Sequence, residues 1–292
     1  MNGVLIVNKK KDYTSRDIVN ILVKKFNTKK IGHTGTLDPL AEGVLVVTIG
    51  RATKLCDLLT SKYKEYIATI KLGLKTDTMD ITGNILEEKD TKITEEEIKK
   101  VLNSFLGKSV QEVPIYSAVK VNGKKLYEYA RNNQKVELPK REIDIKSIDF
   151  ISYKNNEITF KCLVSKGTYI RSLINDICNK LNTIGTMSKL IRTKQGNFSI
   201  ENSYTLEDIN NNNYKILSYE EVLSDIETID INEELYNKIK NGSIINKDFK
   251  NDIALLKYNK KAIALYKTYD KDKEKAKPYI MLYWFNNKIL LE

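Results

Sequence analysis

The stretch GHTGTLDPLAEGVLVVTIG, residues 32–50, combines the only histidine of the chain with a carboxylate that lies just ahead of an apolar run. Asp38 precedes Pro39, so its backbone is biased towards an extended conformation and does not continue a helix. The glycines around it permit tight turns and the close approach of another chain. A carboxylate presented on such a loop can serve as a nucleophile. The alternative is that Asp38 forms an Asx turn, which is the commoner use of aspartate in loops.

His33 could act as a base, as a metal ligand or as an ordinary polar loop residue. The chain has one histidine, and its three cysteines, Cys56, Cys162 and Cys178, lack CxxC spacing, so a zinc site would lack its usual ligands. The sequence contains no GxSxG, GxxxxGK[ST] or GxGxxG motif. These features disfavour hydrolase, nucleotide and dinucleotide chemistry. We expect neither a metal nor a nucleotide cofactor.

The elements that must position these residues follow from apolar periodicity. Buried runs and period-two alternation predict strands over residues 4–7, 44–49, 66–73 and 158–164. Capping residues and i, i+3, i+4 spacing predict helices from Thr14 or Ser15 to about Phe26, from Thr94 until Gly107 ends it, and from about Ile170 to Leu181.

Tyr66 and Arg171 stand out against these elements. Tyr66 is predicted to begin its strand, where one face can line a pocket. Arg171 falls in the first turn of the third helix, where a cation opposes the helix dipole. A nearby anion would offset that unfavourable interaction. Without other information, each could also be an ordinary half-buried or surface side chain.

The formal net charge of +11 indicates either a polyanionic partner or simply solubility. Residues 113–142 mix tyrosines with basic side chains around an Asn-Gly turn, a composition suited to a nucleic-acid arm or to an ordinary surface hairpin and helix. A polar break at Asn210–Tyr214, followed by short strand-like runs from about Glu227, predicts a small C-terminal β-barrel. The N-terminal residues lack the pattern of a signal peptide and no run is long enough to span a bilayer, so we expect a cytoplasmic protein.

Several motifs occur in a fixed order along the first 205 residues: GHTGTLDPLAEGVLVV, LGLKTDTMDITG, PIYSAVKVNGKKLYEYAR, SKGTYIRSL and LIRTKQGNF. Together they resemble the TruB-type tRNA pseudouridine-55 synthases. The resemblance implies an α/β (α+β) pseudouridine synthase fold with a mixed, largely antiparallel sheet over residues 1–226, including an RNA-gripping arm at about 113–142. The tail, residues 227–292, more faintly resembles the small PUA-like barrel of bacterial members.

The resemblance implies a catalytic set. Asp38 matches the aspartate that attacks the target nucleoside, and Arg171 matches the arginine that pairs with it. Tyr66 matches the aromatic residue that stacks on the flipped uracil and helps to remove the C5 proton.

Four further residues match substrate-binding positions of the family. Tyr169 and Leu190 match residues that line the pocket, and His33 matches the histidine inserted into the T loop where the base leaves. Lys166, within SKGTYIRSL, is the remaining substrate-binding candidate. The implied reaction needs a nucleophile, a face for the base and a path for a proton, but no metal or redox cofactor.

The implied partner is tRNA, held by its T arm and acceptor stem, with the enzyme acting as a monomer. Two other functions stay open: a tRNA-folding chaperone, and a non-catalytic basic RNA-binding or ribosome-associated protein. The chain departs from the family pattern in its N-terminal KKKDYTS, where Lys10 replaces proline and Asp12 replaces glycine in a tight turn. Val113 and Ile191 also differ from the usual residues.

Overall fold

The computed structural model describes residues 1–60 and 63–283. The first 200 residues form a mixed α/β fold built on a nine-stranded sheet. The strands of this region are β1 (Gly3–Lys9), β2 (Ile31–His33), β3 (Glu42–Ile49), β4 (Tyr63–Leu72), β5 (Leu74–Thr76), β6 (Ile85–Glu88), β7 (Gly107–Glu112), β8 (Lys120–Val121), β9 (Lys124–Lys125), β10 (Lys140–Lys154), β11 (Glu157–Ser165), β12 (Gly185–Gln195) and β13 (Phe198–Ser199). The sheet runs in the order β1-β3-β12-β4-β11-β10-β7, with β2 paired to β3 and β13 to β12. Its pairings are antiparallel apart from a short parallel contact between β12 and β3, so the mixed, largely antiparallel sheet is confirmed.

The α-helices are α1 (Ser15–Lys25), α2 (Cys56–Leu59), α3 (Glu95–Asn103), α4 (Leu126–Arg131), α5 (Ile170–Lys180), α6 (Leu206–Asn210), α7 (Tyr219–Val222) and α8 (Glu233–Ile239). Thr14 and Thr94 cap α1 and α3 through capping boxes. Gly107 does not end α3: the helix stops at Ser104 and Gly107 begins β7. Within the described ranges, no helix is long and apolar enough to cross a membrane.

A second, curled sheet of five strands follows from residue 227. Its strands are β14 (Glu227–Asp230), β15 (Ile245–Asn246), β16 (Ile253–Tyr258), β17 (Lys261–Tyr269) and β18 (Asp272–Met281), in the order β14-β16-β17-β18-β15. The strand-like runs beginning at 253 and 261 are confirmed as β16 and β17. The third run lies at the end of β18, and its last residue, Trp284, is outside the described residues.

Strand β3 is buried on both faces, as its continuous apolar sequence predicts. Leu45 and Val47 belong to the core shared with α1. Val44 and Val46 belong to a second core, to which Leu265 of β17 contributes. The five-stranded sheet therefore covers the back of the strand that leads out of the Asp38 loop.

The parallel contact between β12 and β3 brings two backbones unusually close. Arg192 pairs with Gly43, which has a φ of 97°. A Cβ atom on Gly43 would lie 2.3 Å from the carbonyl oxygen of Arg192. Glycine is required here for both its backbone conformation and its lack of a side chain.

We predict that Gly43→Ala lowers the free energy of unfolding by about 3 kcal/mol or more, because backbone strain and a clash with backbone atoms add together. Gly107→Ala is the matched control: Gly107 has a φ of 93°, and nothing lies within 4 Å of the position that a Cβ atom would take there. Gly107→Ala should lower the free energy of unfolding by about 1 kcal/mol, because only the backbone strain applies there. Urea denaturation measures both values. Equal losses would show that the approach of β12 to β3 does not require glycine.

Candidate active site

A cavity of 620 Å³ opens where the β2–β3 loop, β4, β12 and the segment joining β11 to α5 meet the arm at 113–142. Five of the residues singled out from the sequence line it: Asp38, Tyr66, Tyr169, Arg171 and Leu190. These residues come from four separate segments of the chain. The fold therefore brings most of the candidate set to one place.

Asp38 and Arg171 form an ion pair, with 3.1 Å between the Asp38 Oδ2 and Arg171 Nη2 atoms. The guanidinium is buried, with 7% of the side chain exposed, whereas 39% of the Asp38 side chain is exposed. Arg171 also donates to the carbonyl oxygens of Thr78, at 3.1 Å, and Tyr116, at 2.9 Å. The first-turn cation thus has the anionic partner expected for it, and Asp38 presents its carboxylate to the cavity.

Asp38 is not a turn former of the Asx type. Its side chain pairs with Arg171, and the turn is closed by its backbone carbonyl, which accepts a hydrogen bond from the Ala41 N–H at 3.0 Å. The Asp38 carboxylate remains partly exposed to solvent. The residue that is removed from water is the arginine.

Tyr66 is the fourth residue of β4, so it does not begin the strand as its sequence predicts. It pairs with Cys162 on β11 and with Arg192 on β12, and 8% of it is exposed. Burial raises the pKa of the Tyr66 phenol, while the charge of Arg192 and a hydrogen bond from it act in the opposite direction. The phenol is consequently protonated at neutral pH, beside a fixed cation.

Arg192 is a functional residue that the sequence patterns do not single out. It is fully buried, and its guanidinium donates to the carbonyl oxygens of Val44 at 2.7 Å, Gly35 at 3.0 Å and Thr36 at 3.4 Å. These carbonyls flank Asp38 on both sides. Its position two residues after Leu190 could have indicated that it belongs to the site, because residues two apart project from the same face of a strand.

The N-terminal segment supports the Asp38 loop from below. The Ser15 hydroxyl accepts from the Leu37 N–H and donates to the Leu37 carbonyl. Lys9 is fully buried and donates to the carbonyls of Pro39 and Tyr13, at 3.3 and 2.6 Å, and burial lowers its pKa to about 8. The bonds to Leu37 and Pro39 tie the loop to α1 and β1.

The altered KKKDYTS segment keeps a tight turn. Asp12 adopts a φ of 70°, the left-handed conformation that glycine takes most readily and aspartate tolerates. Its N–H donates to the Pro39 carbonyl at 2.9 Å. The departure from the family motif therefore leaves the support of the Asp38 loop in place.

His33 and Lys166 are not brought into the cavity wall. His33 ends β2 and is half-buried, and its Nδ1 atom is buried with no hydrogen-bond partner among the described residues. Burial, with Arg192 and Arg16 adding to it, lowers the pKa of His33, so its imidazole is neutral at pH 7. Lys166 is exposed and begins the segment that joins β11 to α5.

The arm consists of the β8–β9 hairpin, turned at Asn122 and Gly123, followed by α4. It has the form of an ordinary hairpin and helix, yet Tyr127 on α4 lines the cavity. The Lys125 Nζ donates to the Tyr127 hydroxyl at 3.1 Å, and the Arg131 guanidinium lies 5.3 Å from the ring centroid. The arm therefore adds an aromatic ring between two cations to the cavity mouth.

No group of three or more His, Cys, Asp or Glu side chains is placed to hold a metal ion within residues 1–60 and 63–283. Asp38, the acidic side chain in the cavity wall, is already paired with Arg171.

Comparison with known proteins assigns a family to this arrangement. The family model described as TruB family pseudouridylate synthase (N terminal domain) matches residues 23–170. The family model described as tRNA pseudouridylate synthase B C-terminal domain matches residues 171–229. The tRNA pseudouridine synthase B of Clostridium tetani is 49% identical over 83% of this chain and 85% of its own length. That of Lactobacillus acidophilus is 41% identical over 97% of this chain and 98% of its own.

Solved structures share the fold. A crystal structure of a Cbf5-Nop10-Gar1 complex contains a chain that matches with a TM-score of 0.73 at 24% identity, covering 97% of this chain and 85% of that one. A structure of an H/ACA RNP bound to a substrate RNA containing 2'-deoxyuridine matches with a TM-score of 0.69 at 23% identity, covering 96% of this chain and 82% of that one. The matching family models and the curated relatives, which align with most of this chain, together show that the chain belongs to the TruB family of pseudouridylate synthases.

Proposed function

We propose that this chain isomerises uridine 55 in the T loop of tRNA to pseudouridine. The substrate class is supported by relatives at 41–49% identity that carry the name tRNA pseudouridine synthase B. The observation that carries the reaction is the Asp38–Arg171 ion pair, which lines a cavity together with Tyr66.

In the proposed reaction Asp38 is the nucleophile that attacks the nucleoside. The bond between N1 of uracil and C1′ of the ribose breaks, the base turns within the cavity, and C5 joins C1′. The bond that Asp38 formed to the nucleoside is broken again, which regenerates the free carboxylate. The proton on C5 is then lost and N1 gains one, so product and substrate have the same composition. Arg171 holds the carboxylate in position, because two further hydrogen bonds from its guanidinium to backbone carbonyls fix the side chain.

Tyr66 and Leu190 provide the surfaces that receive the base. Both line the cavity, on neighbouring strands. Extruding a uridine from a stack costs a few kcal/mol, which stacking on an aromatic ring offsets. During proton transfer the Tyr66 hydroxyl accepts the C5 proton as it passes its own proton to solvent, and the neighbouring charge of Arg192 favours that loss. Tyr169, which caps α5, completes the wall of the pocket.

His33 occupies the place in the T loop that the flipped base leaves. Its position outside the cavity wall suits this role, because the vacancy is in the RNA and not in the pocket. The lowered pKa of His33 keeps the ring neutral, which favours its insertion among stacked bases. Lys166, exposed beside the cavity, contacts the backbone of the same loop.

The remaining RNA contacts come from the arm and from the C-terminal sheet. Residues 1–226 form the catalytic domain and residues 227–292 an RNA-binding domain that reaches the acceptor stem; residues 284–292 lie outside the described chain. The described part of the second domain carries three lysine–aromatic pairs: Lys247 with Phe249, Lys267 with Tyr279 and Lys277 with Tyr269. Such pairs combine phosphate contacts with stacking faces. The enzyme acts in the cytoplasm, as a monomer and without a cofactor.

A tRNA-folding chaperone is the second candidate function. The basic arm and the lysine–aromatic pairs would hold tRNA whether or not Asp38 reacts. This activity is compatible with catalysis, and the two are separable by substitution at Asp38.

Asp38→Asn should reduce pseudouridine formation by about 10³-fold or more, because the amide is not a nucleophile, while T-loop RNA still binds. Tritium release from C5-labelled uridine in a T-arm transcript measures the reaction, and filter binding measures affinity. Asp149→Asn, on the exposed face of β10, is the control and should keep full activity. Full activity of Asp38→Asn would contradict the mechanism, and its full function in cells would favour the chaperone.

Tyr66→Phe should lower the rate of turnover by about 10²-fold with little change in RNA affinity, since the ring that stacks is retained and the hydroxyl is lost. Tyr66→Ala should weaken binding as well. Single-turnover tritium release and equilibrium binding separate the two effects. If Tyr66→Phe turns over at the normal rate, the hydroxyl takes no part in proton transfer.

A further inference from the structure

Lys64 is a buried lysine in the wall of the active-site cavity with no role in the mechanism above. It lies on β4 two residues before Tyr66, so both side chains project from the same face of the strand. Lys64 lines the cavity, and 9% of it is exposed. Its stem passes Gly35, where a Cβ atom would lie 3.4 Å from the Lys64 Cε.

The ammonium of Lys64 has cations as neighbours. Burial, and then the charges of Arg192 and Lys166, lower the pKa of Lys64 to about 8. Across the part of the chain that the structure describes, its Nζ atom makes no hydrogen bond or ion pair. The Nζ atom keeps contact with the open cavity, but an ammonium on a largely buried side chain is unfavourable without an anionic partner, and no described residue supplies one.

The other charges of the cavity wall are already engaged or exposed. Asp38 is paired with Arg171, and Arg192 is held by three carbonyls. Arg141 lines the cavity but is exposed. Lys64 is thus the buried cation in the described cavity wall that is free to receive an anion.

Uracil is neutral and cannot supply that anion. A nucleotide that swings out of a folded RNA loop brings its phosphodiester with it, and each phosphodiester carries a full negative charge. We propose that Lys64 binds a phosphate that flanks the flipped uridine and so positions the nucleotide against Asp38 and Tyr66. The inference rests on the proposed function, since it assumes that an RNA nucleotide enters the cavity.

The first test compares Lys64→Met with Lys71→Met, a lysine on the same strand whose Nζ donates to the Asn155 carbonyl outside the cavity. Dissociation constants for a T-arm RNA are measured from about 50 to 200 mM KCl. Lys64→Met should bind the RNA about tenfold more weakly at low salt. The slope of log K against log salt concentration should become shallower by about 0.7 to 0.9, as expected for the loss of one phosphate contact. Lys71→Met should match the wild type. An unchanged slope in Lys64→Met would overturn the proposal.

The second test locates the phosphate. T-arm RNAs carry a neutral methylphosphonate at the linkage on the 5′ side or on the 3′ side of the target uridine. One of these should weaken wild-type binding as much as Lys64→Met does, and Lys64→Met should be insensitive to the same change. Equal sensitivity of the two proteins at both linkages would exclude a phosphate contact.

A merely structural lysine gives a different pattern. Replacing an unpaired buried ammonium by methionine should leave the melting temperature unchanged or raised, whereas loss of a structural contact would lower it. The wild type tests the proposed function separately: without tritium release that function fails. An active wild type with an unaltered salt slope in Lys64→Met overturns the lysine contact alone.

Discussion

The ion pair between Asp38 and Arg171 is the interaction on which the geometry of the cavity depends. A guanidinium that is almost fully removed from water must be satisfied by acceptors, and those of Arg171 come from Asp38, Thr78 and Tyr116. These acceptors lie in three loops that are far apart in sequence. By satisfying its own donors, one side chain at the start of α5 holds the three loops together, and those that carry Asp38 and Tyr116 form part of the wall of the pocket.

Arg192 holds the same loop from the opposite side. Arg171 contacts the carboxylate from the cavity side, and Arg192 binds the backbone carbonyls on either side of Asp38 from within the sheet. A loop without regular secondary structure is thereby fixed from two directions. For Asp38 as the proposed nucleophile, fixing the loop before substrate arrives reduces the entropy lost on reaching the transition state. Together, the two buried arginines therefore hold the Asp38 loop in position before substrate binds.

Local features of this fold could be predicted from the sequence, and long-range ones could not. Capping boxes at Thr14 and Thr94 and the alternation around Tyr66 are set by neighbouring residues. The meeting of Asp38 with Arg171 depends on strand pairings between distant segments, and the family resemblance supplied it. Arg192 and Lys64 were missed because charged residues are seldom buried, so composition assigns them to the surface. Their spacing from Leu190 and Tyr66 carried the signal, once the strands were known.

The double burial of β3 connects the Asp38 loop mechanically to the C-terminal sheet. Alternate residues of this strand enter two different cores, one shared with α1 and one shared with the C-terminal sheet. A strand packed on both faces has little freedom to shift, because close-packed interiors resist small displacements. The Asp38 loop begins at β2 and ends at β3, and the carbonyl of Val44 on β3 is one of the acceptors of Arg192. The five-stranded sheet thus stabilises the position of the Asp38 loop from behind.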